Sequence, residues 1–115
     1  MAEQSREIAT CPIVENGVIR VLSAPRYGRE GATPSSIAAL LAQACAKLGH
    51  EFWPDDVSLL DRTKFDFDRL HGHRQLTDAY LLGLATARGG LLVTLDSAIP
   101  LSAVRGATKK HLLVL

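Results

Sequence analysis

Residues 71–96 read HGHRQLTDAYLLGLATARGGLLVTLD, and the rest of the chain is organised around this stretch. Its first half carries leucine and alanine at positions that cover most of a helix circumference, which predicts a helix buried on several sides. Thr77 is placed to cap that helix, because its hydroxyl can accept from the free amides of the first turn. Asp78 is then predicted to lie in the first turn, where the helix macrodipole favours a carboxylate.

The second half of the stretch predicts a buried strand that ends in another carboxylate. Gly89-Gly90 stops the helix, and the apolar run 91–95 is too short to form a new one after a double glycine. A strand without polar alternation is typical of a parallel sheet that is covered on both faces. Asp96 therefore follows the carboxyl end of a strand, where open α/β sheets bind their ligands.

The N-terminal segment supplies a third candidate acid. Residues 7–11 predict a short strand, Thr10 a helix cap, and Pro12 the first or second residue of an apolar helix. Glu15 precedes apolar residues at helical spacing and should lie at the edge of the buried face. The alternative is an ordinary glutamate that faces solvent.

The other elements continue the alternation of helices and strands. They are a helix that starts at Ser35 or Ser36 and stops at Gly49, a strand at 50–53, a short helix at 65–70, a short turn of structure at 98–104 and a terminal strand at 111–115. This order predicts an α/β sandwich with a mostly parallel sheet.

Composition is that of an ordinary globular domain. Of the 115 residues 47% are hydrophobic and 22% charged, and the formal net charge is +1. A local basic patch can bind phosphates when the total charge is near zero, so nucleic acid stays open as a partner. Since there is no apolar run of membrane-spanning length and no apolar signal core, a cytoplasmic protein is expected. Cys11 and Cys45 are isolated in apolar surroundings and are predicted to be buried free thiols.

Each candidate acid also has a purely structural interpretation. An Asp after a cap often serves only the helix start, and an Asp after a strand is often only a turn former. Asp78 and Asp96 are more informative together, because a helix and a returning strand would bring both to one edge of a layer. Hard divalent ions such as Mg²⁺ and Mn²⁺ require oxygen ligands. A cluster of Glu15, Asp78 and Asp96 would thus suit metal-assisted phosphodiester hydrolysis.

Two other groups of ligand-type residues fit structural roles better. Asp55-Asp56 matches turn chemistry, and His71 and His73 lack the third and fourth ligands of a zinc site. A nucleotide-binding α/β module is disfavoured, because no glycine-rich turn joins a strand to a helix.

Several stretches together resemble the PIN-domain ribonucleases, and in particular the VapC toxins of bacterial toxin–antitoxin pairs. They are CPIVENGVIRVLS at 11–23, FWPDD at 52–56, GHRQLTDAYLLGLA at 72–85, GGLLVTLD at 89–96 and the closing apolar strand. The resemblance begins at Ala9 and keeps the family's order. It implies a single PIN-like domain over residues 1–115, folded as a three-layer α/β sandwich with a mostly parallel central sheet flanked by helices.

The resemblance also implies an activity, a metal and a partner. Family members cleave RNA at a four-carboxylate site that holds Mg²⁺ or Mn²⁺, and a small VapB-type antitoxin binds them. By motif position, Glu15, Asp78 and Asp96 match the family's second, third and fourth acids. Asn16 and Thr94 match its supporting polar positions.

The function implied is a metal-dependent endoribonuclease toxin, in which Arg74, Arg69 or Lys64 contact the RNA backbone. Family members carry a strand with a first Asp before the ENG motif, and this chain is predicted to lack both, through a late start of the reading frame or as a natural remnant. We therefore expect little ribonuclease activity, and homodimer formation through the apolar strand edges left uncovered. The alternative is a non-catalytic PIN-like remnant that binds an antitoxin or another subunit.

Overall fold

A computed structural model describes residues 8–24, 32–94 and 98–115. Its helices and strands are, in chain order, β1 (Ile8–Thr10), α1 (Pro12–Leu22), α2 (Pro34–Lys47), β2 (His50–Phe52), α3 (Leu76–Ala87), β3 (Leu92–Thr94) and β4 (Leu112–Val114). Short 3₁₀ helices span Phe67–Arg69, His73–Gln75, Leu101–Ala103 and Lys109–His111. The mixture of helices and parallel strands confirms the predicted α/β class.

The chain divides into two compact units, Met1–Asp55 and Asp56–Leu115, and the described residues of each form a two-stranded parallel sheet. In the first unit, β1 pairs with β2, with Thr10 opposite Phe52. In the second, β3 pairs with β4, with Val93 opposite Leu113. The predicted parallel sheet is thus present as two pairs of strands. A single PIN-like domain over the whole chain stays a prediction.

The start of α1 differs from the prediction in its cap. Pro12 is the first helical residue, as expected, because a proline there loses no hydrogen bond that the helix could make. The predicted cap at Thr10 is wrong, since Cys11 occupies the cap position and no side chain caps the helix. The Thr10 hydroxyl is used elsewhere, as described below.

Helix α2 begins slightly earlier than predicted. Thr33 is its cap, and the helix starts at Pro34, before the predicted Ser35 or Ser36. The Thr33 hydroxyl accepts from the Ser36 backbone N–H at 3.1 Å, and the Ser36 hydroxyl accepts from the Thr33 N–H at 2.9 Å. Together these two bonds form a capping box, so the serine that looked like the start is the third residue of the helix.

Helix α3 is the buried core of the second unit. Its fully or almost fully buried residues are Ala79, Tyr80, Leu82, Gly83, Leu84 and Ala85. They lie on more than one side of the helix, which confirms the predicted burial. The predicted cap at Thr77 is wrong, because the 3₁₀ helix His73–Gln75 leads directly into α3 and Thr77 is already inside it. Asp78 lies in the first turn as predicted.

The double glycine ends α3 as expected. Gly89 has a φ of 68°, a left-handed conformation that favours glycine. Its N–H donates to the Thr86 carbonyl at 3.2 Å, and the Gly90 N–H donates to the Ala85 carbonyl at 2.7 Å. These two bonds are those of a Schellman motif, which satisfies the last carbonyls of the helix.

Strand β3 is less buried than predicted. The sequence pattern predicted a strand over 91–95 covered on both faces, whereas Val93 is 51% exposed. Its partner Leu113, on the same face of the parallel pair, is 45% exposed. Burial on both faces is therefore wrong for this strand, because the two-stranded sheet leaves one apolar face uncovered within the described residues. Among the described helices, none has both the length and the apolar character that a bilayer span requires.

Candidate active site

Glu15 is held at the start of α1 by a neighbouring hydroxyl. Its backbone N–H donates to the Cys11 carbonyl at 2.9 Å, in the first turn of the helix. The half-buried Glu15 carboxylate accepts a hydrogen bond from the Thr10 hydroxyl at 2.7 Å. The Thr10 oxygen also lies 2.8 Å from Nε2 of His50. Glu15 thus sits at the edge of the buried region, as predicted, and is not a freely solvated glutamate.

Neither Thr10 nor His50 was predicted from the sequence as a neighbour of this acid. Thr10 is only 3% exposed, which is unusual for a hydroxyl unless it is hydrogen-bonded. The signal available in the sequence was the spacing of Thr10 and Glu15, because the residue before a helix cap packs near the fourth helical residue. His50 lies forty positions later, and only the pairing of β1 with β2 brings it close.

Asp78 occupies a similar place at the start of α3. It lies in the first turn, half-buried, where the amide dipoles favour a negative charge. Asn16, predicted to support the site, is exposed on α1 next to Glu15. Thr94 is the last residue of β3, half-buried, and its carbonyl accepts from the Leu115 N–H at 2.9 Å. Asp96 falls outside the described residues.

The predicted acids are distributed over two compact units and a segment outside the described residues. Glu15 belongs to the first compact unit and Asp78 to the second. Within residues 8–24, 32–94 and 98–115, no three His, Cys, Asp or Glu side chains are grouped closely enough to hold a metal ion. The donor type nevertheless fits, because Mg²⁺ and Mn²⁺ take carboxylate oxygens. Convergence of Glu15 and Asp78 with Asp96 stays a prediction.

The three predicted RNA-binding residues differ in how available their charges are. Arg74 lies exposed in the 3₁₀ helix that precedes α3 and makes no ion pair with the described residues. Arg69 pairs loosely with Asp66, with 3.8 Å between Nε and the carboxylate, and its side chain is 64% exposed. Lys64 is half-buried. Of the three, only Arg74 is both exposed and without an ion pair among the described residues.

A cavity in the second unit lies among other residues. It has a volume of about 390 Å³ and is lined by Leu59, Leu60, Arg62, Phe65, Asp66, Phe67, Asp68 and Arg105. Arg105 is held in its wall, since its Nε donates to the Arg62 carbonyl at 2.8 Å and its guanidinium lies 3.9 Å from the Asp66 carboxylate. None of the candidate acids lines this cavity.

The acids of the FWPDD segment have structural partners. Asp56 forms an ion pair with Arg88, with 2.9 Å between nitrogen and oxygen.

Cys11 is 2% exposed, and this burial raises the pKa of its thiol above the ordinary value. The nearby Asp55 carboxylate acts in the same direction. The thiol therefore stays protonated at neutral pH.

Comparison with known proteins decides the family. The chain is 50% identical to ribonuclease VapC44 of Mycobacterium tuberculosis, over 93% of the chain and 75% of that protein. The chain belongs to the VapC ribonuclease family. VapC39 of the same organism is 42% identical over 85% of the chain and 70% of its own length, and VapC38 is 41% identical over 79% and 62%. No family model and no solved structure matches the chain.

Membership of the VapC family confirms the predicted resemblance and, with it, the PIN-like fold class. These relatives are all named ribonucleases, which confirms the predicted enzyme class. The non-catalytic alternative is not favoured. Membership of this family implies a nuclease of the toxin–antitoxin type that depends on a divalent metal. The positions of the metal-binding acids in this chain remain predictions.

Proposed function

We propose that this VapC protein is an endoribonuclease toxin whose active site is formed by Glu15, Asp78 and Asp96. These residues would hold Mg²⁺ or Mn²⁺, the hard ions that carboxylates bind. The observation that carries the proposal is the half-buried Glu15 carboxylate, which a buried Thr10 hydroxyl holds at 2.7 Å in the ENG motif. A carboxylate that is half-buried and held by a fixed donor is better prepared to bind a cation than a mobile surface acid.

Glu15 and Asp78 occupy the same kind of position on their helices. Glu15 lies in the first turn of α1 and Asp78 in the first turn of α3, where each macrodipole favours a negative charge. This offsets part of the repulsion that carboxylates in one site would exert on each other. When bound, the divalent ion supplies Lewis-acid stabilisation of the charge that develops on the phosphate. Asn16 and Thr94 are proposed to support the acids beside them.

The RNA backbone is proposed to contact Arg74 first, with Arg69 and Lys64 further along. Arg74 is exposed four residues before Asp78, so a phosphate bound there would lie near one of the acids. Arg69 must give up its loose pairing with Asp66 to bind a phosphate. Because the net charge of the chain is only +1, RNA binding would depend on a local patch of basic residues.

Two protein partners are proposed with this activity. A VapB-type antitoxin would bind the toxin and block cleavage in the cytoplasm. A second copy of the chain would cover the apolar face of the β3–β4 pair, where Val93 and Leu113 are about half exposed. Strand pairs with an uncovered apolar face favour association with another chain.

An RNA-cleavage assay under single-turnover conditions tests the proposal, because slow cleavage is still measurable there. Cleavage by the wild-type chain should require Mn²⁺ or Mg²⁺ and stop in EDTA. Glu15→Gln, Asp78→Asn and Asp96→Asn should each reduce the rate by roughly a hundredfold or more. The matched control is Glu51→Gln, which removes an exposed glutamate from β2 and should leave the rate unchanged. Wild-type rates in the three acid variants would overturn the site.

A further inference from the structure

The junction between β1 and α1 places a threonine beside the candidate acid. Cys11 is the helix cap, so Thr10 precedes the cap and Glu15 is the fourth helical residue. These two positions pack against each other in many helices, usually as an apolar pair. Here the pair is polar, with the Thr10 hydroxyl donating to Oε2 of Glu15 at 2.7 Å.

The parallel pairing of β1 and β2 brings His50 to the same hydroxyl. Ile8 lies opposite His50, and Thr10 opposite Phe52. Since side chains two residues apart on a strand point to the same face, Thr10 and His50 are diagonal neighbours on that face. The distance from Nε2 of His50 to the Thr10 oxygen is 2.8 Å.

The direction of the hydrogen bonds follows from the single proton of a hydroxyl. Thr10 donates that proton to Glu15, so its oxygen must accept from His50. Nε2 of His50 therefore carries a hydrogen. The result is a chain of bonds from His50 through Thr10 to Oε2 of Glu15, while Oε1 accepts no hydrogen bond from the described residues.

We propose that Thr10 and His50 are positioning residues, which hold the Glu15 carboxylate by Oε2 and leave Oε1 for a divalent cation. This inference rests on the proposed function, in which Glu15 binds the ion. Thr10 is 3% exposed, and a buried hydroxyl is costly unless both of its bonds are made. Partners that orient a metal ligand in this way contribute strongly to affinity, since their loss commonly costs about 10- to 100-fold.

Calorimetric titration with MnCl₂ tests the inference. Thr10→Val removes the hydroxyl at nearly constant volume and should weaken Mn²⁺ binding by about tenfold or more. Thr10→Ser keeps the hydroxyl and should stay close to wild type. His50→Leu should weaken binding, whereas His50→Gln, which keeps a donor, should restore part of it. A thermal melt of each variant separates loss of folding from loss of binding.

The matched control is Thr63→Val in the second unit. Thr63 also donates its hydroxyl to a carboxylate, at 2.6 Å from Asp61, on an exposed turn far from Glu15 in sequence. Its removal should leave the Mn²⁺ affinity unchanged. If Thr10→Val binds Mn²⁺ as tightly as wild type while Glu15→Gln does not bind it, the positioning role is wrong and the proposed function stands. If Glu15→Gln binds Mn²⁺ normally, the proposed function itself fails.

A metal-free crystal structure of Thr10→Val gives a readout that does not depend on the ion. The Glu15 carboxylate should leave its wild-type position or take more than one rotamer, while β1 and α1 keep theirs. In Thr10→Ser it should stay in place. A carboxylate that stays in its wild-type position without the hydroxyl would overturn the positioning role.

Discussion

The ring of Phe65 lies directly against Gly83 of α3. A Cβ added at Gly83 would stand 2.5 Å from Cζ of Phe65, closer than such atoms approach in proteins. Phe65 is 3% exposed, and its backbone forms an antiparallel bridge with Val104. The ring therefore has little room to retreat. This contact explains why a glycine is placed in the middle of the most buried helix, where it otherwise lowers helix stability.

Gly83→Ala should accordingly destabilise the protein. Alanine gains up to about 1 kcal/mol in helix propensity, but overpacking of a buried core typically costs about 1–3 kcal/mol. The net loss should be measurable as a lower midpoint in urea. Gly17→Ala is the matched control, because Gly17 lies in α1 with nothing within 4 Å of its added Cβ. That change should stabilise the protein, and a stabilising Gly83→Ala would contradict the contact.

Because Cys11 is buried, the free energy of unfolding should decrease as the pH becomes alkaline. Its pKa is raised above the ordinary 9.0 in the folded chain, so the unfolded thiol ionises first as the pH rises. The resulting stability is fully present below pH 9.0 and is lost as the pH rises through the folded pKa. Urea unfolding at a series of pH values should show a steeper alkaline loss in wild type than in Cys11→Ala. Cys45→Ala, which leaves Cys11 in place, serves as the control.

The Asp78→Asn variant distinguishes between two roles of Asp78, as a metal ligand and as a structural acid. The loss of the charge in the first turn of α3 costs up to about 1 kcal/mol, and relief of repulsion from other carboxylates acts in the opposite direction. The metal-free variant should therefore be about as stable as wild type, or slightly more stable, while Mn²⁺ no longer stabilises it. Thermal melts with and without Mn²⁺ measure both effects. A large loss of metal-free stability would show that Asp78 is mainly structural.

Arg74→Ala should change RNA binding more than the chemical step. A side chain that contacts phosphate binds substrate and transition state alike, so KM should rise while kcat changes little. The salt dependence of binding should also weaken, because one fewer counterion is released. Lys109→Ala removes an exposed charge from a different 3₁₀ helix and serves as the control. Equal effects of the two variants would mean that Arg74 acts only through net charge.

Local sequence patterns predicted the central helix and its glycine stop well, but they predicted the N-terminal caps of α1 and α3 wrongly. The glycine stop of α3 depends on residues that are adjacent in the chain, so Gly89 could be recognised directly. A cap requires knowing which residue starts the helix, and Thr77 failed because a 3₁₀ turn extends α3 upstream. Thr10 failed as a cap because its hydroxyl bonds to Glu15 and His50 instead. The exposure of Val93 depends on which element covers the strand, and the apolar run of β3 does not contain that information.

The candidate site was predicted residue by residue from the family's motifs, and the sequence correctly placed Glu15 and Asp78 on helices. Asp78 lies in a first helical turn as expected. Whether Asp78 meets Glu15 is a long-range property that no local pattern encodes. The same limit applies to His50, which only strand pairing brings to Thr10.

Paramagnetic broadening by Mn²⁺ would show whether Glu15 and Asp78 bind the same ion. In a ¹⁵N-labelled chain titrated with substoichiometric Mn²⁺, we predict that the amide signals around Glu15 and around Asp78 weaken together, because the broadening falls off steeply with distance. The signal of Lys109 should stay sharp, and Asp78→Asn should abolish the broadening at both places. Broadening around only one of the two acids, or around neither, would contradict a shared metal site.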